Sequence, residues 1–544
     1  MKKAKQLSRR DFLKGAATAA GAAAVGSLGA CATGSAATGG ARLPPWDKEV
    51  DVLVVGSGTA AFAALACKQY GAQKVLLIEK SARWGGTSAI SGGGFWIPGA
   101  YFLKDMGLPE DNLDDALAYM KALTAGRCDP KLPEIFIASA NKFLEWTHDS
   151  FGWQWTTKES FQDYYEPTPG YRRIGRTVWK EGEVGSGSGY GVWREIQELV
   201  RQNGIEVMME TAGKELVTDG NGAVIGAVAQ SGGKELRIRA TRAVLLGTGS
   251  FDHNPKMIKQ FLPVPLYASG TAHSCTGDGH KMGQAIGADL SCMDKIWGGP
   301  YFMNLPFDPN AGVAFTPDYD LSLMRGRPSA IVVNRYGKRF GNESSAYAVF
   351  NRSYDAWDSG RLEYTNIPSF FICDSEFVAR YPMNMIGHKV GDPIPEGFVQ
   401  DNTLEGLARK LGIDTVGFAA EVAEFNANAV LGKDTKFLRG EKNFDRQTSG
   451  DLSRGLANPN LAPVSKAPFY GRLMLPGTLG TAGGLTIDEQ SRVLNTKGEV
   501  IDGLYAVGNC SAGVSGGIYC GGGLTMGAGS VMSWVASRYI MGIK

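Results

Sequence analysis

The chain has 544 residues, of which 43% are hydrophobic and 20% charged, and its formal net charge is +2 at neutral pH. This near-neutral balance gives no reason to expect a nucleic acid or an acidic surface as partner, and the length suffices for two or three domains with their own cores. The eight cysteines form neither a C-x-x-C pair nor a cluster with histidine, so the composition indicates no disulfide scaffold and no metal site.

The N-terminal residues 1–30 are predicted to be an export signal. The stretch SRRDFLK at 8–14 is a twin-arginine pattern, and an Ala/Gly-rich apolar run at 15–30 follows it. This run is too short and too weakly hydrophobic for a membrane span. We therefore expect export by the twin-arginine translocase, which carries folded proteins, to the periplasm or the outer face of the cytoplasmic membrane.

The end of the signal leaves two alternatives open. The stretch LGAC at 28–31 resembles a lipobox, in which case Cys31 becomes a lipidated first residue that anchors the protein. A plain cleaved signal is the alternative, because residues 30–32 are all small. Residues 31–48 are then a flexible linker. Export makes one or two disulfides available to the chain, but the sequence does not give their pairing.

A strand–helix–strand unit with dinucleotide-binding spacing comes next. A β-branched apolar run at 50–55 predicts a buried parallel strand, and a helix of small residues follows as far as Tyr70. Between the two lies a G-x-G-x-x-A motif formed by Gly56, Gly58 and Ala61. This order of elements predicts nucleotide binding.

The motif residues have separate physical roles. Gly56 permits the tight turn, and Gly58 has no side chain to keep a pyrophosphate away from the helix N-terminus, whose amides and dipole favour an anion. A second strand, predicted over 74–78, ends on Glu79, whose carboxylate can accept both hydroxyls of an adenosine ribose. Lys80 follows as a further expected contact with the cofactor.

The next stretch decides between NAD and FAD. RWGGTSAISGGG at 83–94 offers two glycine clusters and several hydroxyls directly after the ribose-binding acid. Such a backbone can wrap against a flat isoalloxazine ring, where side chains would collide. We therefore predict FAD, with contacts from Gly86, Thr87, Ser88, Gly92 and Gly93.

The middle of the chain is predicted in two parts. Residues 111–202 are largely helical, with an irregular stretch at 151–176 in which Tyr164 and Tyr165 lie in a loop beside a Pro/Gly turn. Residues 204–249 are rich in β-strands, and the last strand ends in a Gly-Thr-Gly that includes Gly249. A helix at 280–288 follows Asp278, and its N-terminus is expected near the cofactor.

The remaining segments complete an α/β fold with a Rossmann-like FAD-binding domain built from two chain segments. Residues 49–288 form its first part, 289–470 an inserted α+β catalytic (capping) domain, and 471–544 its second part. The last predicted strand ends at Gly508 and Asn509. A closing helix at 527–540 follows a glycine-rich entry with Leu524 and Thr525, whose amides can stabilise negative charge on a reduced flavin.

Five motifs in order resemble the FAD-dependent fumarate-reductase/succinate-dehydrogenase flavoprotein superfamily, and within it the 3-ketosteroid Δ1-dehydrogenases. The resemblance covers the chain from about residue 50 to about residue 540. The motifs are GGTSAISGGGFWIP, MDKIWGGP, SAIVVNRYGKRFGNESSAY, LGTAGGLTIDEQSRVL and GLYAVGNCSAG.

The resemblance implies a set of catalytic residues. In that family a tyrosine matched by Tyr347 abstracts a proton from C2 of the 3-ketosteroid, while flavin N5 takes hydride from C1. A tyrosine matched by Tyr519 and an amide matched by Gly523 bind the C3 carbonyl. A second tyrosine assists, and it corresponds to Tyr164 or Tyr165, because the sequence DYYEP at 163–167 departs from the family pattern and leaves the choice open.

Two departures argue against the fumarate-reductase branch. Its N-E-x-x-x-R motif ends here in Tyr347, four residues after Glu343, and GTAGG at 480–484 stands where that branch has H-x-M-G-G. A site for a small dianion would lack its guanidinium and its imidazole. We expect instead a flat apolar substrate beside the aromatic residues Trp96, Trp153, Trp155, Trp297 and Tyr301.

Three functions follow. The first is desaturation of a 3-ketosteroid or similar cyclic ketone, and the second is the reverse, an exported respiratory ene-reductase acting on an enone. The third is an electron-transfer flavoprotein with no organic substrate, for which the chain lacks a C-x-x-C-H haem motif. Export suggests a quinone or a cytochrome as electron partner. The exact substrate, the direction of flux and the oligomeric state stay open.

Overall fold

A computed structural model describes residues 45–543, except for 159, 160, 186, 317, 319, 321–323 and 384–386. The predicted signal, most of the linker and the candidate lipid site Cys31 therefore lie outside the described residues. Among the residues that are described, no helix combines the length and apolar character needed to span a bilayer. The part Trp46–Lys544 forms one compact unit.

The described strands, in chain order, are β1 (Lys48–Val55), β2 (Val75–Ile78), β3 (Phe95–Trp96), β4 (Trp155–Thr157), β5 (Thr177–Lys180), β6 (Glu206–Met208), β7 (Thr211–Thr218), β8 (Val224–Ser231), β9 (Lys234–Leu246), β10 (Ala268–Ser269), β11 (Leu290–Ser291), β12 (Ile296–Met303), β13 (Ala314–Phe315), β14 (Ala330–Asn334), β15 (Trp357–Asp358), β16 (Glu363–Tyr364), β17 (Ser369–Asp374), β18 (Val399–Asp401), β19 (Phe469–Thr481), β20 (Gly484–Leu485), β21 (Arg492–Leu494) and β22 (Val500–Ala506).

The α-helices of the described residues are α1 (Ala61–Gln69), α2 (Gly86–Ala89), α3 (Leu113–Thr124), α4 (Lys131–Phe151), α5 (Ser188–Gln202), α6 (Pro255–Phe261), α7 (Asp278–Ala285), α8 (Tyr347–Asn351), α9 (Ser375–Val378), α10 (Leu404–Leu411), α11 (Thr415–Val430), α12 (Asn443–Thr448) and α13 (Leu524–Ile540).

The larger sheet has eight strands in the order β21-β22-β9-β1-β2-β6, with β8 beside β9 and β7 beside β8. Strand β1 runs parallel to β2 and β9, and β22 runs parallel to β9. Consecutive residues of β1, Val52, Leu53 and Val54, are all fully buried, which requires both faces of the sheet to be covered. The residues that follow these parallel strands meet at one edge. This confirms the Rossmann-like sheet built from two chain segments.

The second sheet has seven strands, which come from residues 268–481, so it begins before the predicted boundary at residue 288. Strand β19 is its centre, since it pairs antiparallel with β12, β17 and β18 and parallel with β10. Helix α8 packs against β12. The predicted boundary at residues 470 and 471 falls within β19, which continues to Thr481, while the other domain limits stay predictions.

Helix α13 packs closely on β3 and on the turn after β1, and glycines make this approach possible. A Cβ on Gly527 would lie 2.4 Å from the carbonyl oxygen of Trp96, and a Cβ on Gly529 would lie 2.6 Å from Oγ1 of Thr59. The helix begins at Leu524 rather than at the predicted Gly527, directly after Gly523, whose φ of +83° turns the chain into it.

We expect Gly527→Ala to destabilise the fold, because the added methyl group would push α13 away from β3. Overpacking of this kind costs about 1–3 kcal/mol, so the midpoint of thermal unfolding should fall by several degrees. Gly220→Ala is the matched control, because a Cβ at Gly220 meets no atom within 4 Å. Equal midpoints for the two variants would contradict the packing argument.

Candidate active site

A cleft opens at the edge of the larger sheet where β1, β2, β9 and β22 end. Most of the predicted cofactor contacts line it, namely Gly56, Gly58, Glu79, Lys80, Gly86, Thr87, Ser88, Gly249, Asp278, Gly508, Asn509 and Thr525.

Four predicted contacts lie outside this lining. Ala61 is buried in the first turn of α1, and Leu524 is buried at the start of α13. The carbonyl of Gly92 accepts a hydrogen bond from Nε1 of Trp179 at 3.1 Å, and Gly93 has a φ of +66°. These residues support the wall of the cleft, and their direct contact with a cofactor stays a prediction.

The lining also includes residues that sequence reasoning missed. Ser57 and Thr59 lie inside the G-x-G-x-x-A turn, and Thr248 lies inside the Gly-Thr-Gly after β9. Their positions within these motifs are the sequence feature that could have identified them as lining residues. Ser274 and Cys275 come from a loop far along the chain that no local pattern marks.

Ser57 ties the first turn to the acid that follows β2. Its Oγ donates to Oε2 of Glu79 at 2.7 Å and accepts from the amide of Gly85 at 2.8 Å. Its carbonyl accepts from Nε1 of Trp193 at 3.0 Å. Glu79 is buried, and the amide of Ser81 donates to its other oxygen at 2.8 Å. The carboxylate is therefore held rigidly at the cleft wall, with lone pairs left for further donors.

Lys80 and Asp278 meet across the same cleft. Nζ of Lys80 lies 2.7 Å from Oδ2 of Asp278 and donates to Oγ1 of Thr276 at 2.7 Å. Burial opposes ionisation of Asp278, but hydrogen bonds from Lys80 and Lys281 outweigh it and hold the pKa of the carboxyl below its ordinary value. The ion pair ties α7 to the end of β2.

The cleft fits FAD on three structural observations. The φ of +109° at Gly56 and the 2.2 Å that would separate its Cβ from the Gly247 carbonyl oxygen admit only glycine in the first turn. No side chain caps the N-terminus of α1, and a buried carboxylate stands at the end of β2. At Gly86, which lines the cleft, an added Cβ would meet no atom within 4 Å, so the backbone there is open.

Three tyrosine rings gather beside this cleft. The ring centroids of Tyr164 and Tyr347 are 5.5 Å apart, those of Tyr347 and Tyr519 are 5.8 Å apart, and those of Tyr164 and Tyr519 are 5.9 Å apart. The hydroxyl of Tyr347 interacts with those of Tyr164 and Tyr519. The amide of Gly523 donates to the Tyr519 hydroxyl at 3.3 Å. Thr525, which lines the cleft, also hydrogen-bonds Tyr519 and so joins the two sites.

Buried charges hold Tyr347 in place. It is the first residue of α8, and Nη2 of Arg325 donates to the Ser345 carbonyl at 2.6 Å, two residues earlier. Arg339 donates to both oxygens of Glu343 at 2.6 Å, and its Nη2 also lies 2.8 Å from Asp434. These groups are almost fully buried, so the segment leading to Tyr347 has little freedom.

A second buried cluster holds Tyr164. The preceding Asp163 accepts from Nε1 of Trp96 at 2.8 Å and from Nη1 of Arg176 at 2.6 Å. Burial raises the pKa of Asp163 to about 6, while Arg176 and the hydrogen bond from Trp96 oppose the rise. Asp163 forms an antiparallel bridge with Gly521, and the amide of Tyr164 donates to the carbonyl of Cys520 at 2.9 Å.

Tyr165 is not part of the cluster of three rings. It lines a separate cleft of about 730 Å³, together with Arg352 and one side of Tyr519. Burial raises the pKa of Tyr165 to about 12, although Arg352 opposes this. The two tyrosines left open by the sequence thus take different positions, and Tyr164 is the one beside Tyr347 and Tyr519.

The other aromatic residues expected around a substrate are mostly core residues. Trp96, Trp153 and Tyr301 are at most 1% exposed, and the ring of Trp96 stacks on Phe136. Trp297 is different, since its ring centroid lies 5.9 Å from that of Tyr519. Trp297 is therefore the expected aromatic residue that lies beside the tyrosine cluster, and a contact of any of these residues with a substrate stays a prediction.

Electrostatics make the tyrosine hydroxyls hard to ionise. Burial, with the neighbouring hydroxyls of Tyr164 and Tyr519, raises the pKa of Tyr347 well above its ordinary value. Burial also raises the pKa of Tyr519, but hydrogen bonds from Tyr347, the Gly523 amide and Thr525 oppose that rise.

Within the described ranges no group of three His, Cys, Asp or Glu side chains could hold a metal ion.

Comparison with known proteins places the chain in a family. A family model described as FAD binding domain matches residues 51–526, and a model of the twin-arginine translocation signal matches residues 6–26. The 4-oxocyclohexanecarboxylate 2-dehydrogenase of Sinomonas cyclohexanicum is 31% identical over 90% of this chain and 93% of its own length. The 3-oxosteroid 1-dehydrogenase of Mycobacterium tuberculosis is 31% identical over 91% of this chain and 98% of its own length.

A solved structure agrees with these relatives. The 3-ketosteroid Δ1-dehydrogenase of Sterolibacterium denitrificans, in complex with 1,4-androstadiene-3,17-dione, has a TM-score of 0.82 and 29% identity. The match covers 91% of this chain and 100% of the other. The matches confirm the resemblance predicted from sequence, the fold class, FAD as the cofactor and the twin-arginine signal.

We expect Glu79→Gln to weaken FAD binding, because an amide cannot accept from two ribose hydroxyls as a carboxylate can. Loss of charge-assisted hydrogen bonds worth about 1.5–3 kcal/mol corresponds to a dissociation constant roughly 10- to 100-fold higher. Titration of apoprotein with FAD, followed by flavin fluorescence, measures it. Glu215→Gln, on the exposed part of β7, is the control and should bind FAD as the wild type does. Unchanged affinity in Glu79→Gln would contradict the ribose contact.

Proposed function

The chain belongs to the family of FAD binding domains, and on that premise we propose that it desaturates the bond between two ring carbons next to a ketone, in a 3-ketosteroid or a smaller cyclohexanone. It is an FAD-dependent oxidoreductase that acts on CH–CH groups. Its relatives named for a 3-oxosteroid and for 4-oxocyclohexanecarboxylate share a ketone on a six-membered ring. The packed cluster of Tyr164, Tyr347 and Tyr519 beside the FAD cleft carries the proposal.

Carbonyl binding is assigned to Tyr519 and Gly523. The amide of Gly523 donates to the Tyr519 hydroxyl at 3.3 Å, so the two groups are neighbours, and a ketone oxygen would have to take the place of this bond to reach both. A ketone oxygen placed there would accept from both. As the proton α to the ketone leaves, negative charge grows on that oxygen, and preorganised donors stabilise it.

Proton removal is assigned to Tyr347. A proton next to a carbonyl is weakly acidic, so the base must be held close and shielded from water, and Tyr347 is only 6% exposed. Its raised pKa makes the Tyr347 tyrosinate a strong base once it has formed. Tyr164 is the assisting residue, since Tyr165 faces the separate cleft. When bound, FAD supplies the acceptor for the hydride of the neighbouring carbon.

Export of the protein bears on the direction of the reaction and on the electron partner of the flavin. The twin-arginine signal takes the enzyme out of the cytoplasm, to the periplasm or the outer face of the membrane, where Cys31 would serve as a lipid anchor. A quinone or a cytochrome there would exchange electrons with the flavin. The same tyrosines serve saturation of an enone, so ene-reduction is the alternative. An electron carrier without a substrate would leave the three hydroxyls without a role.

An assay in both directions tests the proposal. Anaerobic enzyme with bound FAD is given androst-4-ene-3,17-dione or 4-oxocyclohexanecarboxylate with a dye acceptor, and separately the 1,4-diene with reduced viologen. Formation of the desaturated ketone supports the dehydrogenase, and consumption of the diene alone supports the ene-reductase. If no ring ketone turns over in either direction, the proposal is wrong.

We expect Tyr347→Phe to lose most turnover and to keep its flavin. The variant lacks the base but retains the ring that packs against Tyr164 and Tyr519, and general-base catalysis contributes about 10²–10⁴-fold to a rate. Stopped-flow reduction of the flavin by the ketone measures the step directly. Tyr190→Phe, at a side chain that is 66% exposed, is the control. Loss of bound FAD in Tyr347→Phe would mean that the hydroxyl has a structural role.

The rate should depend on pH with opposite signs in the two directions. The pKa of Tyr347 lies above its ordinary value, so little tyrosinate exists at neutral pH, and desaturation should accelerate between about pH 7 and pH 10. Reduction of an enone needs the protonated tyrosine and should not accelerate over that range. Profiles of kcat/KM for both reactions measure this. A desaturation rate that falls with pH would contradict Tyr347 as the base.

A further inference from the structure

Two cysteines that are distant in sequence lie side by side at the surface of the fold. Cys128 lies in the connection between α3 and α4, and Cys292 follows β11. Sγ of Cys292 lies 3.8 Å from the carbonyl oxygen of Arg127, which belongs to the peptide bond that joins Arg127 to Cys128. The thiol of one cysteine therefore touches the backbone that carries the other.

The same neighbourhood includes a turn that leads to Tyr519. Sγ of Cys128 lies 3.7 Å from the carbonyl oxygen of Val514. A Cβ on Gly516 would lie 2.9 Å from Cβ of Arg127, and one on Gly517 would lie 2.5 Å from Cβ of Lys295. The turn at 516–517 is thus enclosed by the two segments that carry the cysteines.

These two thiols differ from the other cysteines that the structure describes. Cys67, Cys275, Cys373, Cys510 and Cys520 are buried, whereas Cys128 and Cys292 are partly exposed. Burial, together with the neighbouring Cys292, raises the pKa of the Cys128 thiol to about 11. Cys292 is therefore close enough to act on the ionisation of Cys128, and solvent can reach both thiols.

We propose that Cys128 and Cys292 form a disulfide once the protein has been exported. Thiols stay reduced in the cytoplasm and are oxidised in the compartment to which the twin-arginine signal leads. This route carries folded proteins, so the native fold, not a disordered chain, selects the partner. The proposal is independent of the substrate and of the direction of the reaction.

The oxidant is a protein disulfide of the exported compartment. The thiolate of one cysteine attacks a sulfur of that disulfide, and the first oxidant thiolate leaves as a mixed disulfide forms. The second cysteine thiolate then attacks its partner's sulfur and releases the second oxidant thiolate. One S–S bond forms in this chain, one breaks in the oxidant, and the two protons released by the cysteines are taken up by the oxidant's thiolates. Because raised pKa values disfavour the thiolates, a reactive oxidant is required.

The disulfide would hold in place the turn at 516–517, which leads to Tyr519. It closes a long loop, which restricts the unfolded chain, and it joins the two segments that enclose the turn at 516–517. Reduction should therefore lower the midpoint of thermal unfolding by a few degrees. The buried cysteines contribute no such bond, so a reducing agent acts on this pair alone among the described residues.

Peptide mass spectrometry tests the proposal on full-length protein exported by cells. The protein is alkylated under denaturing conditions without reduction and digested with trypsin. We expect the peptide 128–131 to be linked to the peptide 282–295, and the link to vanish after reduction. Protein produced without its signal and kept in the cytoplasm should have both cysteines alkylated.

Two variants complete the test. Cys128→Ser should leave Cys292 fully alkylated and should abolish the effect of reduction on the unfolding midpoint. Cys373→Ser, at a buried cysteine of β17, should keep the linked peptides and is the control. Full alkylation of both cysteines in the exported wild type, or a link to any other cysteine, would overturn the proposal, and neither result depends on turnover.

Discussion

The buried carboxylate of Asp163 is the constraint on which the arrangement of the three tyrosines depends. It takes hydrogen bonds from Trp96 and Arg176 and pairs with Gly521, so it fastens the loop of Tyr164 to the segment that runs from Tyr519 to Gly523. Removing one partner of such a pair leaves an uncompensated buried charge, which costs about 3–5 kcal/mol. The loop therefore keeps one position although it has no regular secondary structure.

Buried charge also holds the segment just ahead of α8 in place. Arg339, Glu343 and Asp434 form a buried ionic cluster just ahead of α8, and Arg325 holds the carbonyl of Ser345. Burying these charges is expensive, and well-packed apolar residues could stabilise the fold at lower cost. The charges instead fix the orientation of the segment, because a guanidinium group donates hydrogen bonds to carboxylate and carbonyl oxygens in only a few geometries. Two separate buried ionic clusters thus each hold one tyrosine in place at a shared site.

The sequence predicts this molecule unevenly, for physical reasons. Strand β1, helix α1 and Glu79 follow from local periodicity and spacing, because a nucleotide-binding turn is built from neighbouring residues. The catalytic tyrosines are predicted from the family resemblance, and the sequence does not distinguish Tyr164 from Tyr165 as the assisting residue. Their difference arises from the pairing of Asp163 with Gly521, more than 300 positions away, which no local pattern encodes. For the same reason most of the tryptophans expected at the substrate belong to the core.

A continuous series of hydroxyl-bearing side chains runs from the cofactor cleft to Tyr164. Thr525 lines the cleft and interacts with Tyr519, Tyr519 interacts with Tyr347, and Tyr347 interacts with Tyr164. Isolated in an apolar site, each tyrosine would resist ionisation because burial penalises the charge. In the proposed mechanism a ketone oxygen bound by Tyr519 and Gly523 would lie beside Tyr347, so the negative charge that develops on it would be stabilised next to the base. Removal of the proton and stabilisation of the enolate would then depend on the same cluster of tyrosines, which two buried ionic clusters hold in place.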